Sequence, residues 1–224
     1  MKTYTLEQVP DELRALFDLH TCPFAEMQPH VKLKAFEAGE KIVDSNKALE
    51  ELHYLIQGKA KICLIHENGK TSIIDFRRSG DYIGDLTFLK IEKHPKDVIA
   101  LSDCVTLCVP LSAAQQILGQ DAQFLFTLNQ YLGDKLLRRT WFYIKSQNYE
   151  FRNRLAAYML MAETDGIYSE KHTETAEFLA VSYRHLLYTI RQFLDEGLII
   201  RTAKGYALRE EKLKLLAQDI DWEA

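Results

Sequence analysis

The sequence predicts an α+β protein with an N-terminal antiparallel β sandwich or barrel, one long helix and a C-terminal winged helix-turn-helix. From about residue 31 to 111, short runs of alternating apolar and polar residues are separated by turn signals, which is typical of antiparallel strands. From 112 to 146 the apolar residues recur at helical spacing, and after Tyr149 short helical patterns precede a hairpin-like stretch. We therefore expect a β domain over 1–111, a long helix over 112–147 and a winged-helix domain over 148–224.

Turn glycines separate the strand-like runs of the predicted β domain. The runs include FEAGEKIV, LHYLIQGKAKICLI and TSIIDF. Between them fall Gly39, Gly58, Gly69 and Gly80, at points where a positive φ is most often needed. Many short strands at nearly even spacing are typical of a sandwich or a barrel.

The predicted long helix has two lines of apolar residues. One line is Leu125, Leu128, Leu132 and Leu136, and the other is Leu137, Trp141 and Ile144. A helix over 112–146 would span about 50 Å at 1.5 Å per residue. A helix with two apolar faces needs two partners, so we expect one face to pack on the β domain and the other on a second copy of the chain. The alternative is that both faces are buried within one monomer.

Composition and charge argue against several classes of function. The chain has 224 residues, 47% of them apolar. Its apolar runs are too short to span a bilayer, and its acidic N-terminus is unlike a signal peptide, so we expect a cytoplasmic protein. A net charge of -4 argues against indiscriminate polyanion binding. The sequence has no Walker loop, G-x-S-x-G elbow, H-E-x-x-H helix or H-x-H pair. A metal-dependent cupin-like enzyme is therefore a disfavoured alternative, and we expect no enzymatic activity.

Two short helical patterns joined by a tight turn predict a helix-turn-helix. Thr173 is suited to cap the first helix, Ala180-Val181 form the turn, and Ser182 is suited to cap the second helix. On the second helix, four apolar residues at i, i+4, i+7 and i+8 predict the side that faces the core: Leu186, Ile190, Phe193 and Leu194.

The opposite side of that second helix suits nucleic-acid binding, because tyrosine and arginine side chains can donate hydrogen bonds to base edges and phosphates. Between residues 184 and 209, five basic residues stand against two acidic ones, so this region is basic although the chain is not. The predicted DNA-binding residues are Thr173, Ser182, Tyr183, Arg184, Tyr188, Arg191 and, in the hairpin turn, Lys204. The alternatives are an ordinary solvated helix face and an interaction module that has lost DNA binding.

The order of these segments resembles the CRP/FNR family of bacterial transcription regulators, and in particular its YeiL-type members. The resemblance extends from about residue 31 to 209 and rests on FEAGEKIV, YLIQGKAKI, ENGK, GDYIGDL and TETAEFLAVSYRHLLYTIRQFLDEGLI. It implies a double-stranded β-helix (jelly roll) of the cyclic-nucleotide-binding type and a homodimer formed through the long helix. It also implies winged helices on a partly palindromic operator in double-stranded DNA, with half-sites about 34 Å apart, and RNA polymerase as a further partner.

At the family's base-contacting positions the chain has Tyr183, Arg184 and Tyr188, and it departs from the usual residues at all three. At 184 an arginine replaces the family's glutamate. This exchanges an acceptor for a pair of donors and would favour guanine as the contacted base. The resemblance therefore implies DNA binding, but not the family's usual operator.

The residues at the family's cyclic-nucleotide pocket are Gly84, Asp85, Leu86, Lys96 and, on the long helix, Thr140. Asp85 is one methylene shorter than the family's glutamate. Lys96 is a point charge where relatives have an arginine, and Asp97 lies beside it. The resemblance therefore implies that cyclic AMP is not the effector.

The identity of the effector stays open between three alternatives: another small molecule, a redox signal, or no effector, with a vestigial pocket filled by side chains. No two of the four cysteines form a CxxC pair, and we expect them to be reduced. Cys63 and Cys104 are expected in the core, and Cys104 and Cys108, about 13 Å apart on one strand, could not share a metal. The resemblance makes Cys22 and Cys108 the candidates for a redox pair or an iron-sulfur cluster; the cofactor is otherwise unknown.

Overall fold

Two antiparallel sheets form the N-terminal part of the computed structural model, which describes residues 1–67, 69, 71–217 and 220. The strands are β1 (Lys2–Thr5), β2 (Lys32–Phe36), β3 (Lys41–Val43), β4 (Glu51–Gln57), β5 (Lys59–Ile65), β6 (Thr71–Arg78), β7 (Tyr82–Ile83), β8 (Asp97–Ala100) and β9 (Cys104–Pro110). One sheet has the order β1-β2-β9-β4-β7 and the other the order β3-β8-β5-β6. The chain passes repeatedly from one sheet to the other, so the predicted double-stranded β-helix is confirmed.

The helices of this part are α1 (Asp11–Arg14), α2 (Asp85–Phe88), α3 (Leu111–Ile117) and α4 (Ala122–Asn148). The chain divides into two units, Met1–Leu128 and Asn129–Ala224, so α4 belongs to both. In the described part of the chain, no helix is both long enough and apolar enough to cross a membrane.

The five-stranded sheet is buried on both faces. Its inner face contributes Phe36, Leu55, Ile83 and Cys104 to a core shared with Ile42, Val43, Ala60, Val98 and Ala100 of the other sheet. Side chains alternate along a strand, so Leu33, Leu52 and Leu107 lie on the outer face, where they are also buried. α3 and the 3-10 helix Ala25–His30 pack against that outer face. The inner face is therefore the surface on which an effector between the sheets would lie.

The prediction of one continuous helix from Ser112 is wrong for the first part of that helix. α3 ends at Ile117, a 3-10 helix occupies Leu118–Gln120, and α4 begins at Ala122. Asp121 causes the break, because its backbone is extended and its carboxylate accepts hydrogen bonds from the amides of Gln123 (2.9 Å) and Phe124 (3.2 Å), as an N-cap does. α4 has 27 residues and is therefore about 40 Å long.

α4 buries one side near its beginning and exposes apolar side chains on another side. Phe124 and Leu128 are buried, and the ring of Phe124 contacts Tyr82 (6.2 Å between centroids) and Phe88 (5.7 Å) edge-on. The exposed apolar side chains are Phe126, Leu136, Leu137, Trp141 and Ile144. At about 100° per residue they fall within about 140° of the helix circumference, around Gly133. We call these five residues the apolar arc.

A winged helix forms the C-terminal part of the chain and confirms that predicted fold. Its elements are α5 (Phe151–Ala162), β10 (Ile167–Tyr168), α6 (His172–Phe178), α7 (Tyr183–Asp195), β11 (Ile199–Thr202), β12 (Gly205–Leu208) and α8 (Glu210–Ala217). The hairpin of β11 and β12 turns at Ala203-Lys204, because Thr202 pairs with Gly205. The sequence predicts this turn one residue later, at Lys204-Gly205. The sequence analysis missed β10, which pairs with β12, and α8, which packs on α5.

Candidate functional site

α6 and α7 form the predicted helix-turn-helix, but α6 begins at His172, two residues earlier than a cap at Thr173 predicts. Lys171 occupies the N-cap position without a side-chain cap, so the prediction that Thr173 caps this helix is wrong. The Lys171 carbonyl accepts hydrogen bonds from both the amide (3.0 Å) and the hydroxyl (3.1 Å) of Thr175, which starts the helix there. Thr173 is the second residue of α6 and is exposed. It therefore remains available to contact a ligand.

The turn between the two helices is fixed by backbone and side-chain hydrogen bonds. Ala180 has a positive φ of 53°, and the Val181 amide donates to the Ala176 carbonyl (2.9 Å), closing the end of α6. The guanidinium of Arg154 on α5 donates to the Leu179 carbonyl (3.1 Å). These contacts hold α7 at a defined angle to α6.

α7 packs one side into the core of the winged helix. Leu186, Thr189, Ile190 and Phe193 are buried, whereas Leu194, predicted in the core, is half-buried. Thr189 was not predicted there; its hydroxyl donates to the His185 carbonyl (3.1 Å), so its burial leaves no unsatisfied donor. Ser182 caps the helix as predicted, since its hydroxyl accepts a hydrogen bond from the His185 amide (3.2 Å).

Replacing Ser182 by alanine is expected to lower the free energy of unfolding by about 1 kcal/mol, because the His185 amide loses its acceptor. Urea unfolding of the full-length protein measures this change. Ser182→Asn is the matched control; an asparagine at the N-cap supplies an equivalent oxygen, so its stability should stay within about 0.5 kcal/mol of wild type. Equal stability of the alanine variant and wild type would contradict the assigned cap.

The opposite side of α7 is exposed and rich in hydrogen-bond donors. It comprises Tyr183, Arg184, Leu187, Tyr188 and Arg191, which we call the donor face. At about 100° per residue these five residues fall within about 140° of the helix circumference. Leu187 was missed in the sequence analysis, although its position between Arg184 and Arg191 at helical spacing would have placed it there. An exposed apolar side chain in such a surface can contact a thymine methyl group.

The β11–β12 hairpin adds further positive charge to the winged helix. Arg201 on β11 and Lys204 in the turn are exposed, as predicted for Lys204. Gly205 allows the hairpin to lie against β10, because a Cβ at this position would be 2.2 Å from the Tyr168 carbonyl oxygen. Of the two acidic residues of this region, Glu196 is ion-paired with Arg152 (2.8 Å). The exposed charge of this region is therefore mainly positive.

In the β domain, the structure brings Gly84, Asp85 and Leu86 together at the junction of β7 and α2. Gly84 has a φ of 95°, and a Cβ there would be 2.5 Å from a methyl carbon of Leu49. Asp85 is buried and Leu86 is half-buried. The Leu49 side chain therefore lies directly against Gly84, in the space that a Cβ at this position would occupy.

The two charged residues at the position expected to hold a phosphate, Lys96 and the adjacent Asp97, are engaged with other groups. Lys96 forms an ion pair with Glu92, and the buried Asp97 accepts hydrogen bonds from Lys41 (2.8 Å) and from the Ser45 amide (2.7 Å). Burial alone would raise the pKa of Asp97, but the Lys41 ammonium and Ser45 together lower it, so this carboxylate stays ionised. An anionic ligand would therefore have to displace an existing ion pair and approach a buried carboxylate.

Thr140, the remaining predicted pocket residue, lies on α4 in the second unit. It is exposed, and its hydroxyl donates to the Leu136 carbonyl (2.8 Å) of the same helix. Its hydroxyl therefore already has a hydrogen-bond acceptor within α4.

The two cysteines that were candidates for a redox pair are both free thiols in this structure. Cys108 pairs in register with His53, so both side chains lie on the inner face of the sheet. Burial raises the pKa of Tyr54 and Tyr82, and Cys22 adds to the increase at both. All four cysteines are free thiols, and Cys63 and Cys104 are buried as predicted. The pairing of Cys22 with Cys108 therefore stays a prediction.

A polar cluster that the sequence analysis missed lies on the inner face around Cys108. Glu51, His53 and Cys108 have ligand atoms within 4.8 Å of one another, and we call these three residues the inner cluster. Burial lowers the pKa of His53 to about 4, against the opposing effect of Glu51. Burial, with a further contribution from Glu51, raises the pKa of the Cys108 thiol to about 12. His53 is therefore neutral and Cys108 protonated near pH 7.

The chain is similar to known proteins over most of its length. Residues 33–121 match the cyclic nucleotide-binding domain family. Regulatory protein YeiL of Escherichia coli O157:H7 is 34% identical over 201 residues, 89% of this chain and 92% of YeiL. The cAMP-activated global transcriptional regulator Vfr of Pseudomonas aeruginosa is 24% identical over 115 residues, 50% of this chain and 54% of Vfr. The fold is also that of a CRP/FNR-family transcriptional regulator from Thermus thermophilus, with a TM-score of 0.63 at 20% identity over 83% of this chain and 97% of that chain.

Proposed function

Because the chain belongs to the CRP/FNR family of transcription regulators, we propose that it is a cytoplasmic homodimer that binds a specific, partly palindromic operator in double-stranded DNA. The donor face of α7 is the observation that supports this proposal most directly. Its arginine and tyrosine side chains are exposed on a helix whose opposite side is anchored in the core. A helix presented in this way fits a major groove.

Each DNA-binding residue has a distinct role in this proposal. Arg184 contacts a guanine through its two parallel donors, and Tyr183 and Tyr188 contact neighbouring bases or phosphates. Thr173, Ser182, Arg191 and Lys204 contact the phosphate backbone and fix the position of α7 in the groove. Leu187 packs on a thymine methyl group.

The apolar arc of α4 supports the homodimer. Its residues are exposed in the single chain, and Gly133 lies near its centre, where the absence of a side chain allows a second helix to approach closely. A parallel or antiparallel helix pair needs an apolar seam of this kind on each partner. We propose that 112–147 couples the subunits, that 1–111 senses an effector, and that 148–224 binds DNA and contacts RNA polymerase.

We propose that the effector is not cyclic AMP. Leu49 occupies the space beside Gly84, and Lys96 is neutralised by Glu92. Calorimetric titration of the full-length protein with cyclic AMP is expected to give a dissociation constant above about 1 mM. Saturable binding in the micromolar range would contradict this account of the pocket.

Regulation by an effector other than cyclic AMP would act by population shift, because a ligand that favours one arrangement of the helices favours one spacing of the two α7 helices. An effector-independent regulator with a vestigial pocket is the second candidate, and the close packing of Leu49 against Gly84 favours it. Operator binding by protein from which metals and small molecules have been removed distinguishes the two. An effector-independent regulator would bind the operator with full affinity in this state, whereas a regulator that needs its effector would not.

The experiment that tests the DNA-binding proposal is selection of a random duplex library by the purified full-length protein. We expect enrichment of two inverted half-sites whose centres lie one helical turn, or a multiple of it, apart. Sequences bound without any common motif would overturn the proposal and favour an interaction module.

A further inference from the structure

The geometry points to a metal-binding site formed by Glu51, His53 and Cys108, for a divalent transition-metal cation of the Zn²⁺ class. The inner cluster lies on two neighbouring strands of one sheet: β4 supplies Glu51 and His53, and β9 supplies Cys108, with β2 on the other side of β9. Among the described residues, this is the one group of three histidine, cysteine or acidic side chains whose ligand atoms lie close enough together to hold a metal ion. This site shares Cys108 with the predicted redox pair but does not involve Cys22.

The distances in the inner cluster suit a small divalent cation. Ligand atoms bonded to a tetrahedral Zn²⁺ at about 2.0–2.3 Å lie roughly 3.3–3.8 Å from one another. The Nε2 of His53 is 3.7 Å from an Oε of Glu51, and all three ligand atoms lie within 4.8 Å of one another. Small rotations of side chains on paired strands would bring Cys108 to bonding distance. Three protein ligands leave the fourth position open to water or to a small exogenous ligand.

The orientation of His53 favours coordination through Nε2. Its Nδ1 lies 3.1 Å from the hydroxyl oxygen of Thr106, which is fully buried on β9. Assigning the ring proton to Nδ1 lets the ring donate to Thr106 and leaves the Nε2 lone pair directed toward Glu51. A second hydrogen bond of this kind commonly fixes the tautomer and ring orientation of a metal-binding histidine.

The charges of the inner cluster would balance those of a divalent cation. A glutamate carboxylate and a cysteine thiolate carry two negative charges, and a neutral histidine adds none, so the buried site with its metal would be neutral. Coordination forms the bond between metal and Cys108 Sγ and breaks the S–H bond, releasing one proton to solvent. Glu51 is at present ion-paired with Lys34 on β2, so the cation would replace that ammonium as its counter-charge.

The site lies beside the expected effector pocket. His53 pairs in register with Ile83 of β7, the residue that directly precedes Gly84. A metal bound there would connect β4 and β9 through its ligands, next to the strand that leads into the β7–α2 junction. Metal binding by itself does not depend on the DNA-binding proposal, so the two can fail independently.

The test uses full-length protein stripped with a chelator and titrated with Zn²⁺ and, separately, with Co²⁺. We expect one metal per chain and, with Co²⁺, a thiolate-to-metal charge-transfer absorption. Cys108→Ser and His53→Gln should weaken Zn²⁺ binding at least about 100-fold, because even the loss of a hydrogen bond to a metal ligand commonly costs 10–100-fold. Cys104→Ser is the matched control: this thiol is buried on the same face of β9 but lies outside the inner cluster, and its variant should bind as wild type.

Two further measurements keep the test decisive. Thermal unfolding of each metal-free variant identifies any variant that fails to fold. If Cys108→Ser or His53→Gln fails to fold, Zn²⁺ binding by Lys34→Met tests the site instead. Removing the ammonium beside Glu51 should tighten Zn²⁺ binding, because two like charges then no longer compete for one carboxylate. Absence of the Co²⁺ thiolate absorption in the wild type, or its loss in Cys22→Ser rather than Cys108→Ser, would overturn the inference.

Discussion

Replacement of Arg184 by alanine is expected to weaken binding to the selected operator by about 1–3 kcal/mol per half-site, which is roughly a 5- to 150-fold loss of affinity for each of the two half-sites. Arg184 is exposed at the beginning of α7, where a recognition helix contacts base edges. A guanidinium can donate two parallel hydrogen bonds to a guanine, and its loss leaves both acceptors of the base unpaired. The loss should therefore be larger for the operator than for unrelated duplexes, as measured by fluorescence anisotropy.

Two variants separate base recognition from general charge. Arg184→Lys keeps the charge but not the planar pair of donors, so it should retain non-specific binding and lose most of the discrimination between operator and random DNA. Arg14→Ala removes an equally exposed arginine from α1 of the β domain and should leave both affinities unchanged. Full operator affinity in Arg184→Ala would show that α7 is not the base-contacting helix.

Replacement of Leu137 by glutamate is expected to convert the dimer to monomers, with at least about a 100-fold increase in the dimer dissociation constant. Leu137 is 57% exposed in the single chain and lies on the apolar arc of α4. By two-fold symmetry the substitution introduces two carboxylates into the seam, and burying an unpaired charge costs several kcal/mol. Sedimentation at micromolar concentration measures the change, and operator affinity should fall with it.

Leu215→Glu is the control for this substitution. Leu215 lies on α8, is 81% exposed and belongs to no proposed interface, so its variant should remain dimeric. A Leu137→Glu protein that sediments as the wild type would contradict the proposed seam. If the wild-type protein itself sediments as a monomer, the proposal of a homodimer is contradicted.

The sequence predicts the fold well where one local signal decides the structure. The turn glycines and the alternating runs mark the jelly roll, and the apolar spacing of Leu186, Ile190 and Phe193 marks the buried side of α7. The N-cap role of Ser182 is also predictable, because a serine directly before a helical pattern is well suited to cap the helix. These signals depend on residues that are near one another in the chain.

The prediction fails where a competing local contact or a distant residue decides the structure. The carboxylate of Asp121 caps α4 and ends the continuous helix, although the apolar spacing continues through this position. Leu136 falls on the apolar arc rather than beside Leu128, because eight residues advance a helix by about 80° beyond two full turns. α6 begins before Thr173 because Thr175 bonds to the Lys171 carbonyl.

The inner cluster could not be predicted from the sequence alone. Glu51 and His53 have the two-residue spacing of one strand face, but Cys108 is more than fifty residues away. The register of β4 against β9 places His53 opposite Cys108, and a shift by one residue would have moved every side chain to the other face. Likewise, Leu49 beside Gly84 follows from a loop conformation that no local pattern specifies.

The measurement that tests the central claim most directly is the affinity of the wild-type protein for the selected operator with about five base pairs inserted between its half-sites. Half a helical turn places the two half-sites on opposite faces of the duplex, so a dimer can no longer contact both. The account predicts that affinity falls to nearly that of an unrelated duplex in the same salt. Unchanged affinity would contradict the claim that this protein binds its operator as a symmetric pair of winged helices.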